Sequence, residues 1–460
     1  MILSKLQNKA IDMTQGGIVR NLALFSLPLL AGNLFQQLYN MVDTWVIGQT
    51  GVPAAYAAVG SIAPIINILI GFFLGLATGA GVIISQYFGA KDDENLHRSV
   101  RTALTLTLLL SVFVTLAGVF GAPLMLRLML GGEESEVFEH AKTYLTIYFA
   151  GVAGLMIYNM GSGILRAVGD SRRPFLFLVI AALVNTALDL VFVFGFQMGV
   201  AGVALATVIA QFVSAGLTLL VLLRATTAIR VGWRDLKLDR EVLGRIARVG
   251  LPSALQMSVT SFSNVFVQGY IAGVNGDQTL ALAAWTSYSK IEQIIFLPIQ
   301  SVGVAATTFV GQNIGVRDFD RARRGTRTAY LMATCSAALL IGLVEWQAPQ
   351  LVRLFLSEPS VVEASTRLVR TLVPFYFCSC VNQVYNGALK GAGNARAPML
   401  IMIGSFVVFR QIYLFVVSRF IANELLYMGL SYPAGWLLCA TVTLIYYHRY
   451  SFELASTQKS

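Results

Sequence analysis

The sequence predicts an all-α polytopic membrane protein, with twelve transmembrane helices in two pseudo-symmetric six-helix bundles. Three observations support this fold class. The 460 residues are 56% hydrophobic and only 12% charged, with a mean hydropathy of +0.69. Long apolar segments with almost no charged residues recur along the chain. The second half of the sequence also repeats motifs of the first half about 224 residues later.

The apolar segments are predicted to be helices rather than strands of a barrel. Transmembrane strands alternate apolar and polar residues, and these segments do not. Twelve of them are long enough to cross a hydrocarbon core of about 30 Å. Each half of the chain therefore contributes six spans.

The positions of the basic residues predict the orientation. Of the 33 Lys and Arg residues, 25 fall in the N-terminal segment, the even-numbered loops and the C-terminal segment, and six fall in or beside the odd-numbered loops. Cytoplasmic loops carry such an excess, so we expect both termini in the cytoplasm and the protein in the cell (inner or plasma) membrane. This pattern accounts for the formal net charge of +10 without a nucleic-acid partner.

Several motifs are absent from the sequence. There is no G-x-x-x-x-G-K-[ST] loop, so ATP is not expected to drive this chain. Neither H-E-x-x-H nor G-x-S-x-G occurs, and the three histidines do not cluster. The four cysteines show no disulfide or metal-site spacing. We expect neither an enzyme nor a cofactor other than a coupling ion.

The repeat is clearest at two Gly–Arg–Pro motifs. Residues 165–174 (LRAVGDSRRP) match residues 389–398 (LKGAGNARAP), with Leu, Gly, Arg and Pro in register. Pro28 and Pro252 keep the same offset of 224. Turn and helix-start preferences explain each motif, but not their common offset. Because each half has an even number of spans, both lie the same way up, with the substrate path expected between them.

A basic loop at the middle of the chain separates the two halves. We expect an N-terminal bundle at residues 1–223, a cytoplasmic connecting loop at 224–248 and a C-terminal bundle at 249–460. A solvated connector explains the charge of this loop, and contact with anionic membrane lipid is the alternative.

Asp43 is the first candidate coupling residue. The polar residues Asn33, Gln37 and Asn40 precede it at helical spacing, so they share a helix face with one another. A carboxylate at the bilayer centre costs about 2.5–3.5 kcal/mol on insertion scales and normally faces protein or water. An ion or proton site is one interpretation, and a helix cap near the outer interface is the other. Pro28, earlier in the same span, is expected to kink it.

Asp189 is the second candidate. It follows Asn185 by four residues in the fifth span, so both lie on one helical face. It lies about 22 Å past the start of that span, and Thr207 about 10 Å into the sixth span from the opposite side, so the two can sit level. With Asp43 they offer an all-oxygen set that suits a proton shared by two carboxylates, or a sodium ion. Interhelical hydrogen bonding by Asn185 and Asp189 is the alternative.

The second half has no equivalent acids. Val267 stands at the position that matches Asp43, and Tyr413 at the position that matches Asp189. This half carries Lys290, Glu292 and Arg410 within its spans instead. A structural ion pair between Glu292 and Arg410, and a substrate-binding pair in a cavity of this bundle, are both consistent with the sequence.

Taken together, these residues resemble the multidrug and toxic compound extrusion (MATE) family, and most closely its DinF-like prokaryotic branch. The resemblance covers essentially the whole chain. It rests on the twelve spans in two halves and on residues that recur in register: Pro28 and Asp43, Gln86 and Gly89 with Gln312 and Gly315, and the doubled Gly–Arg–Pro motif.

The resemblance implies a cation-coupled exporter whose ion site lies in the N-terminal bundle. In this branch the site uses residues that match Asp43, Asn185, Asp189 and Thr207, with Pro28, Gln37 and Asn40 in support. The expected activity is export of amphipathic, cationic, drug-like molecules in exchange for H+ or Na+ by alternating access, by a monomer embedded in membrane lipid. A flippase for lipids or lipid-linked saccharides is the first alternative function, and an ion channel is the second.

Overall fold

A computed structural model gives the fold of residues 10–130, 135–355, 358–450 and 452. Sixteen α-helices account for most of these residues. In the first half they are α1 (Ile18–Gly48), α2 (Pro53–Gly89), α3 (Asp93–Leu130), α4 (Glu136–Ala150), α5 (Val152–Ala167), α6 (Arg172–Asp189) and α7 (Gly199–Arg224). In the second half they are α8 (Arg240–Ala272), α9 (Gln278–Gly315), α10 (Phe319–Arg353), α11 (Pro359–Leu372), α12 (Tyr376–Gly391), α13 (Arg396–Ile403), α14 (Arg410–Phe420), α15 (Leu425–Gly429) and α16 (Ser431–Arg449).

These helices fall at the twelve predicted spans. Within the described residues, nine helical segments are long and apolar enough to cross a membrane, and α4 with α5 forms a tenth candidate that bends by 50°. The remaining two positions are occupied by α8 and by α11 with α12, which a 3₁₀ turn separates at Val373–Phe375. The predicted all-α polytopic fold is confirmed.

The chain forms two compact units. The first unit contains Pro28–Gly250, and the second contains Leu251–Ser460 together with Asp12–Leu27. The start of α1 is therefore counted with the second unit, whereas the start of α8, up to Gly250, is counted with the first. These sets of residues differ from the predicted ranges 1–223 and 249–460, which follow the repeat in the sequence.

Close helix packing in the first unit depends on glycine. A Cβ added to Gly79 of α2 would lie 2.3 Å from both Cα and N of Gly250 on α8, and 3.0 Å from the Ile246 carbonyl oxygen. Only two glycines permit backbones to come this near. The approach fixes the start of α8 against the middle of the first unit.

In the second unit, the segment before α1 is fixed by the ends of α9 and α10. Met13 is fully buried, and its backbone N–H donates to Gln312 Oε1 at 2.9 Å. Its carbonyl accepts from Asn313 Nδ2 at 3.2 Å and from Arg321 Nε at 3.2 Å. Arg321 also donates to the Gly16 carbonyl at 2.8 Å. Arg321, at the start of α10, thus donates to three carbonyls of the irregular segment before α1, those of Met13, Gln15 and Gly16.

In the first unit, the segment before α8 is held in a comparable way. Arg98, near the start of α3, donates to Asp239 Oδ2 from Nε at 3.0 Å and from Nη2 at 2.6 Å. The Asp239 backbone N–H donates to Thr102 Oγ1 at 3.3 Å. The hydrogen bonds from Arg98 hold the pKa of Asp239 below its usual value.

Among the residues that the structure describes, two short π-helical segments interrupt the spans. One, Leu190–Gly195, directly follows Asp189, and the other, Gly404–Phe409, directly precedes Arg410. Such segments make up well under 1% of residues in proteins and are frequent at functional sites, because the extra residue redirects neighbouring side chains.

Candidate cation site

Asp43 and Asp189 meet inside the first unit. Asp43 lies in α1, five residues before the helix ends at Gly48, and Asp189 is the last residue of α6. Their carboxyl groups lie within hydrogen-bonding reach of each other. Asp189 is 0% exposed and Asp43 is half-buried. The two acids that the sequence predicted as partners are therefore adjacent.

The oxygens of this carboxyl pair have no hydrogen-bond donors. Asp43 Oδ1 and both carboxyl oxygens of Asp189 are buried without a partner in the described part of the chain. Two ionised carboxylates only accept hydrogen bonds, so they repel each other unless a proton or a cation lies between them. The geometry is thus suited to taking up one positive charge.

Asn185 adds an amide to the same face of α6. It lies one turn before Asp189 and is 1% exposed, and both its Oδ1 and Nδ2 lack partners among the described residues. Interhelical hydrogen bonding, the alternative function for this residue, would satisfy these atoms. Its free amide oxygen instead remains available to a cation.

Thr207 lies on α7, 3% exposed, and its Oγ1 donates to the Val203 carbonyl at 2.9 Å. It is linked to the acids through Tyr144, which contacts the Thr207 side chain and interacts electrostatically with Asp43 and Asp189. Thr207 Oγ1 keeps free lone pairs, since its hydrogen is used in the bond to the backbone.

Three tyrosines near the acids were not predicted. Tyr39 lies one helical turn before Asp43, and α4 supplies Tyr144 and Tyr148, whose rings stack at 6.2 Å with an interplanar angle of 19°. The four-residue spacing of Tyr39 and Asp43 was a signal that could have identified Tyr39. Nothing local in the sequence distinguishes Tyr144 or Tyr148 from the other tyrosines.

The three predicted supporting residues all lie on α1, before Asp43. Gln37 is half-buried and Asn40 is exposed, with its carbonyl accepting from Thr44 Oγ1 at 2.9 Å. Pro28 lies within α1, which continues from Ile18 to Gly48, and it marks the point where the chain passes from the second unit to the first.

In the second unit, the predicted trio does not come together as a group. Lys290 is exposed. Arg410 is 3% exposed and donates to Ser263 and Asn264. Among the described residues, the ion pairs within 4.0 Å do not include Glu292 with Arg410, so these two do not form a closed ion pair.

A multi-pass helical protein with unpaired carboxyl groups buried inside a helix bundle has the features of a membrane transporter. The MatE family model matches the chain twice, at residues 28–191 and 252–416. The chain therefore belongs to the MatE family of transporters, which confirms the family resemblance of the sequence. The two matches begin 224 residues apart, the offset of the repeat.

Similar proteins span nearly the whole chain. The probable multidrug resistance protein YoeA of Bacillus subtilis (strain 168) is 30% identical, over 94% of this chain and 93% of its own. The probable multidrug resistance protein NorM of Thermotoga maritima is 28% identical, over 94% and 92%.

Solved structures share the fold. An outward-facing multidrug resistance MATE family transporter of the MOP superfamily matches with a TM-score of 0.90 and 25% identity, over 96% of this chain and 98% of its own. A MATE structure in complex with MaL6 also matches with a TM-score of 0.90 and 25% identity, over 98% and 100%.

Proposed function

We propose that this transporter, as a member of the DinF-like branch, exports amphipathic drug-like molecules in exchange for H+ or Na+ bound at Asp43 and Asp189. Relatives across the whole chain are named multidrug resistance proteins, which supports the substrate class. Asn185 and Thr207 complete the oxygen set around the coupling ion.

The unpaired carboxyl pair is the observation that carries this proposal. Leaving a buried charged group without a partner costs more than about 1–3 kcal/mol, and Asp43 and Asp189 together present three such oxygen atoms. A protein that needed these residues only for packing would be more stable with apolar side chains there. Binding of a cation offsets the cost, and that is the energetic basis of coupling.

Coupling requires that the ion binds one conformation of the transporter more tightly than the other. An ion between the two carboxyl groups cancels their repulsion and draws α1 against α6. Pro28 lacks a backbone N–H, so α1 has one helical hydrogen bond fewer there and bends at this point at low cost. Repacking of α1 would then lower the affinity for the substrate and release it outside.

The orientation and the assembly belong to the same proposal. The excess of basic residues in the even-numbered loops supports cytoplasmic termini. Each unit has its own buried core, so a monomer embedded in lipid is sufficient for the cycle.

The experiment is dye transport by the purified protein reconstituted into liposomes, with imposed proton and sodium gradients. We expect efflux that depends on one of the two gradients. Asp43→Asn and Asp189→Asn should each reduce gradient-driven efflux to the level of empty vesicles, because an amide takes up no proton and removes one of the two negative charges that attract a sodium ion. Both variants should purify and insert normally.

The matched control is Asp320→Asn, which removes an acid whose side chain is 87% exposed at the start of α10. It should transport like the unmodified protein. Normal efflux by Asp43→Asn would refute the coupling assignment, and current without substrate would indicate a channel instead.

A further inference from the structure

An apolar groove lies in the first unit where α3 begins and α7 ends. The space between its walls is about 400 Å³. Three helices and the connecting segment between α7 and α8 (residues 225–239) line it with aliphatic side chains, among them Leu104, Leu108, Ile157, Leu219, Leu223 and Val231. Walls of this kind suit a hydrocarbon chain rather than a polar ligand.

The connecting segment is held against both neighbouring helices. The Val231 backbone N–H donates to the Leu222 carbonyl of α7 at 3.3 Å. On the side of α3, the ring nitrogen Nδ1 of His97 lies 3.3 Å from the Ala228 carbonyl oxygen. Val231 is buried, whereas its neighbour Arg230 is exposed. The segment therefore closes the groove with apolar side chains and presents basic ones to the surroundings.

The matching positions of the second unit carry tyrosines. The helices α3 and α10 begin 226 residues apart, so Leu104 matches Tyr330, and Leu223 matches Tyr447 at the offset of 224. In the second unit the rings of Tyr330 and Tyr447 both pack on Tyr385, with centroids 5.5 and 4.8 Å apart. Aromatic rings thus fill positions that border empty space in the first unit.

Arg101 adds an unpaired positive charge beside the groove. It lies on the same face of α3 as Leu104 and Leu108, one turn nearer the start of the helix. Its Nε is buried without a hydrogen-bond partner in the part of the chain that the structure describes, and the ion pairs found there do not include it. The side chain as a whole is half-buried. A guanidinium in this position favours an anion that accepts its hydrogen bonds.

The charges around the groove also favour an anion. The acids of the connecting segment are already engaged, because Asp239 accepts from Arg98 and Asp235 Oδ2 accepts from the Gly232 N–H at 2.8 Å. Four exposed basic side chains lie outside the ion pairs of the described residues: Arg224, Arg230, Arg234 and Lys237. A cationic drug would meet like charge here.

The position of Arg101 along α3 places it at the level of lipid head groups. The 26 residue steps from Arg101 to Arg127 include no other charged residue and extend about 39 Å, slightly more than a hydrocarbon core. Arg101 therefore lies near one edge of that core, and Leu104 and Leu108 lie within it. In the proposed orientation this edge faces the cytoplasmic leaflet, where anionic lipids attract basic segments.

We propose that the groove binds an anionic phospholipid of the surrounding membrane, with an acyl chain between α3 and α7 and the phosphate group at Arg101. The lipid joins the connecting segment to both helices. This site is separate from the cation site and serves no step of the export cycle directly.

The test compares two lipids that share their acyl chains. A dioleoyl phosphatidylglycerol and a dioleoyl phosphatidylcholine are titrated against the detergent-purified full chain, and binding is measured by native mass spectrometry. We expect the phosphatidylglycerol to bind about tenfold more tightly, because the choline group of the other lipid brings a positive charge among basic side chains. Equal affinities overturn the proposal.

Arg101→Gln should remove this preference by weakening phosphatidylglycerol binding to about the level of phosphatidylcholine. The matched control is Arg327→Gln, which removes the same charge from an exposed side chain at the matching position of α10. It should keep the preference. Retention of the preference in Arg101→Gln overturns the proposal. Equal loss in both variants also overturns it, since the net charge of +10 would then explain the attraction.

Filling the groove tests the place of the acyl chain. Leu108→Trp should weaken binding of both lipids at least about tenfold, because it displaces roughly two methylene groups of the chain. Leu223→Tyr, which introduces the residue of the matching position, should act in the same way. Leu116→Trp is the control, since Leu116 is 54% exposed about two turns farther along α3, and it should leave both affinities unchanged.

Circular dichroism of the two filling variants checks that they fold. If a folded filling variant binds both lipids like the unmodified protein, no acyl chain lies in the groove and the proposal is wrong. Glycerol phosphate, which has the anionic group without the chains, should not displace phosphatidylglycerol at equal concentration. Displacement would indicate a site for free phosphate and would overturn the proposal as well.

Discussion

Replacing Gly79 with alanine should destabilise the first unit, and the size of the effect can be worked out from the structure. The new Cβ would lie 2.3 Å from Cα and N of Gly250. Non-bonded carbon atoms approach to about 3.5 Å at their energy minimum, so α2 and α8 would have to separate by roughly 1.2 Å. Overpacking of this kind costs about 1–3 kcal/mol. Because both sides of the contact are backbone, we expect the upper end of that range.

The assay is thermal unfolding of the detergent-purified protein, followed by circular dichroism. Gly60→Ala is the matched control, since Gly60 lies in the same helix and its added Cβ meets no atom within 4 Å. Because alanine has a greater helix propensity than glycine, Gly60→Ala should leave the free energy of unfolding unchanged or raise it by up to about 1 kcal/mol. If Gly79→Ala unfolds at the same temperature as Gly60→Ala, the close packing of α2 against α8 is refuted.

Three further changes test the segments around the two units. Asp239→Asn removes the carboxylate that accepts from Arg98. Because that arginine lowers the pKa of Asp239, the stabilisation by the pair is present at neutral pH and is lost as the pH falls below about 4. The unfolding temperatures of the variant and the unmodified protein should therefore differ at pH 7 and converge in acid. Gly169→Ala should lower the unfolding temperature, because Gly169 has a φ of +89° and its added Cβ would lie 2.1 Å from the Ile11 carbonyl oxygen. Arg321→Gln should speed hydrogen exchange of the Met13 amide. Arg321 donates to the carbonyls of Met13, Gln15 and Gly16, so its loss frees the backbone directly after that amide.

Each of these changes has a control on the same kind of site. Gly276 has a φ of +100° with no atom within 4 Å of its added Cβ, so Gly276→Ala measures backbone strain alone and should cost less than Gly169→Ala. Arg324→Gln removes an exposed charge one turn from Arg321 and should leave hydrogen exchange unchanged. Equal effects within either pair would contradict the assigned contacts. For Asp239→Asn, a stability difference that persists in acid would do so.

The fold was predictable because its signals are long and repeated. Apolar segments, basic loops and a constant offset each extend over many residues, so errors at single positions do not matter. The bend at Gly151 was less accessible, because it depends on close packing: an added Cβ there would lie 2.2 Å from Val208 Cγ1 on another helix. A glycine within an apolar segment gives no sign of the atoms that it will meet.

The cation site was partly predictable for a similar reason. Helical spacing placed Asn185 beside Asp189, and the depths of the spans brought Thr207 level with Asp189. The contribution of Tyr144 depends on how α4 packs against α7, which local sequence does not encode. The same holds for the π-helical turn after Asp189.

The prediction for the second half relied on membrane depth alone, and it left open both an ion pair and a substrate-binding pair. Glu292 and Arg410 are predicted at similar depths in the membrane, which is compatible with an ion pair. In the structure Arg410 instead donates to Ser263 and Asn264 on α8. Lys290 is only two residues from Glu292, so the two project from different faces of α9, and Lys290 is exposed.

The start of α1 and the start of α8 are each counted with the unit that contains the other half of the chain, and this affects how the protein can be divided into fragments. Asp12–Leu27 packs in the unit that contains the later half of the chain, and the first residues of α8 pack in the other unit. A cut within residues 225–239 would yield two fragments, and each would carry a segment that belongs to the unit of the other. Neither fragment should be soluble in detergent as a folded species on its own, whereas co-expression should restore both.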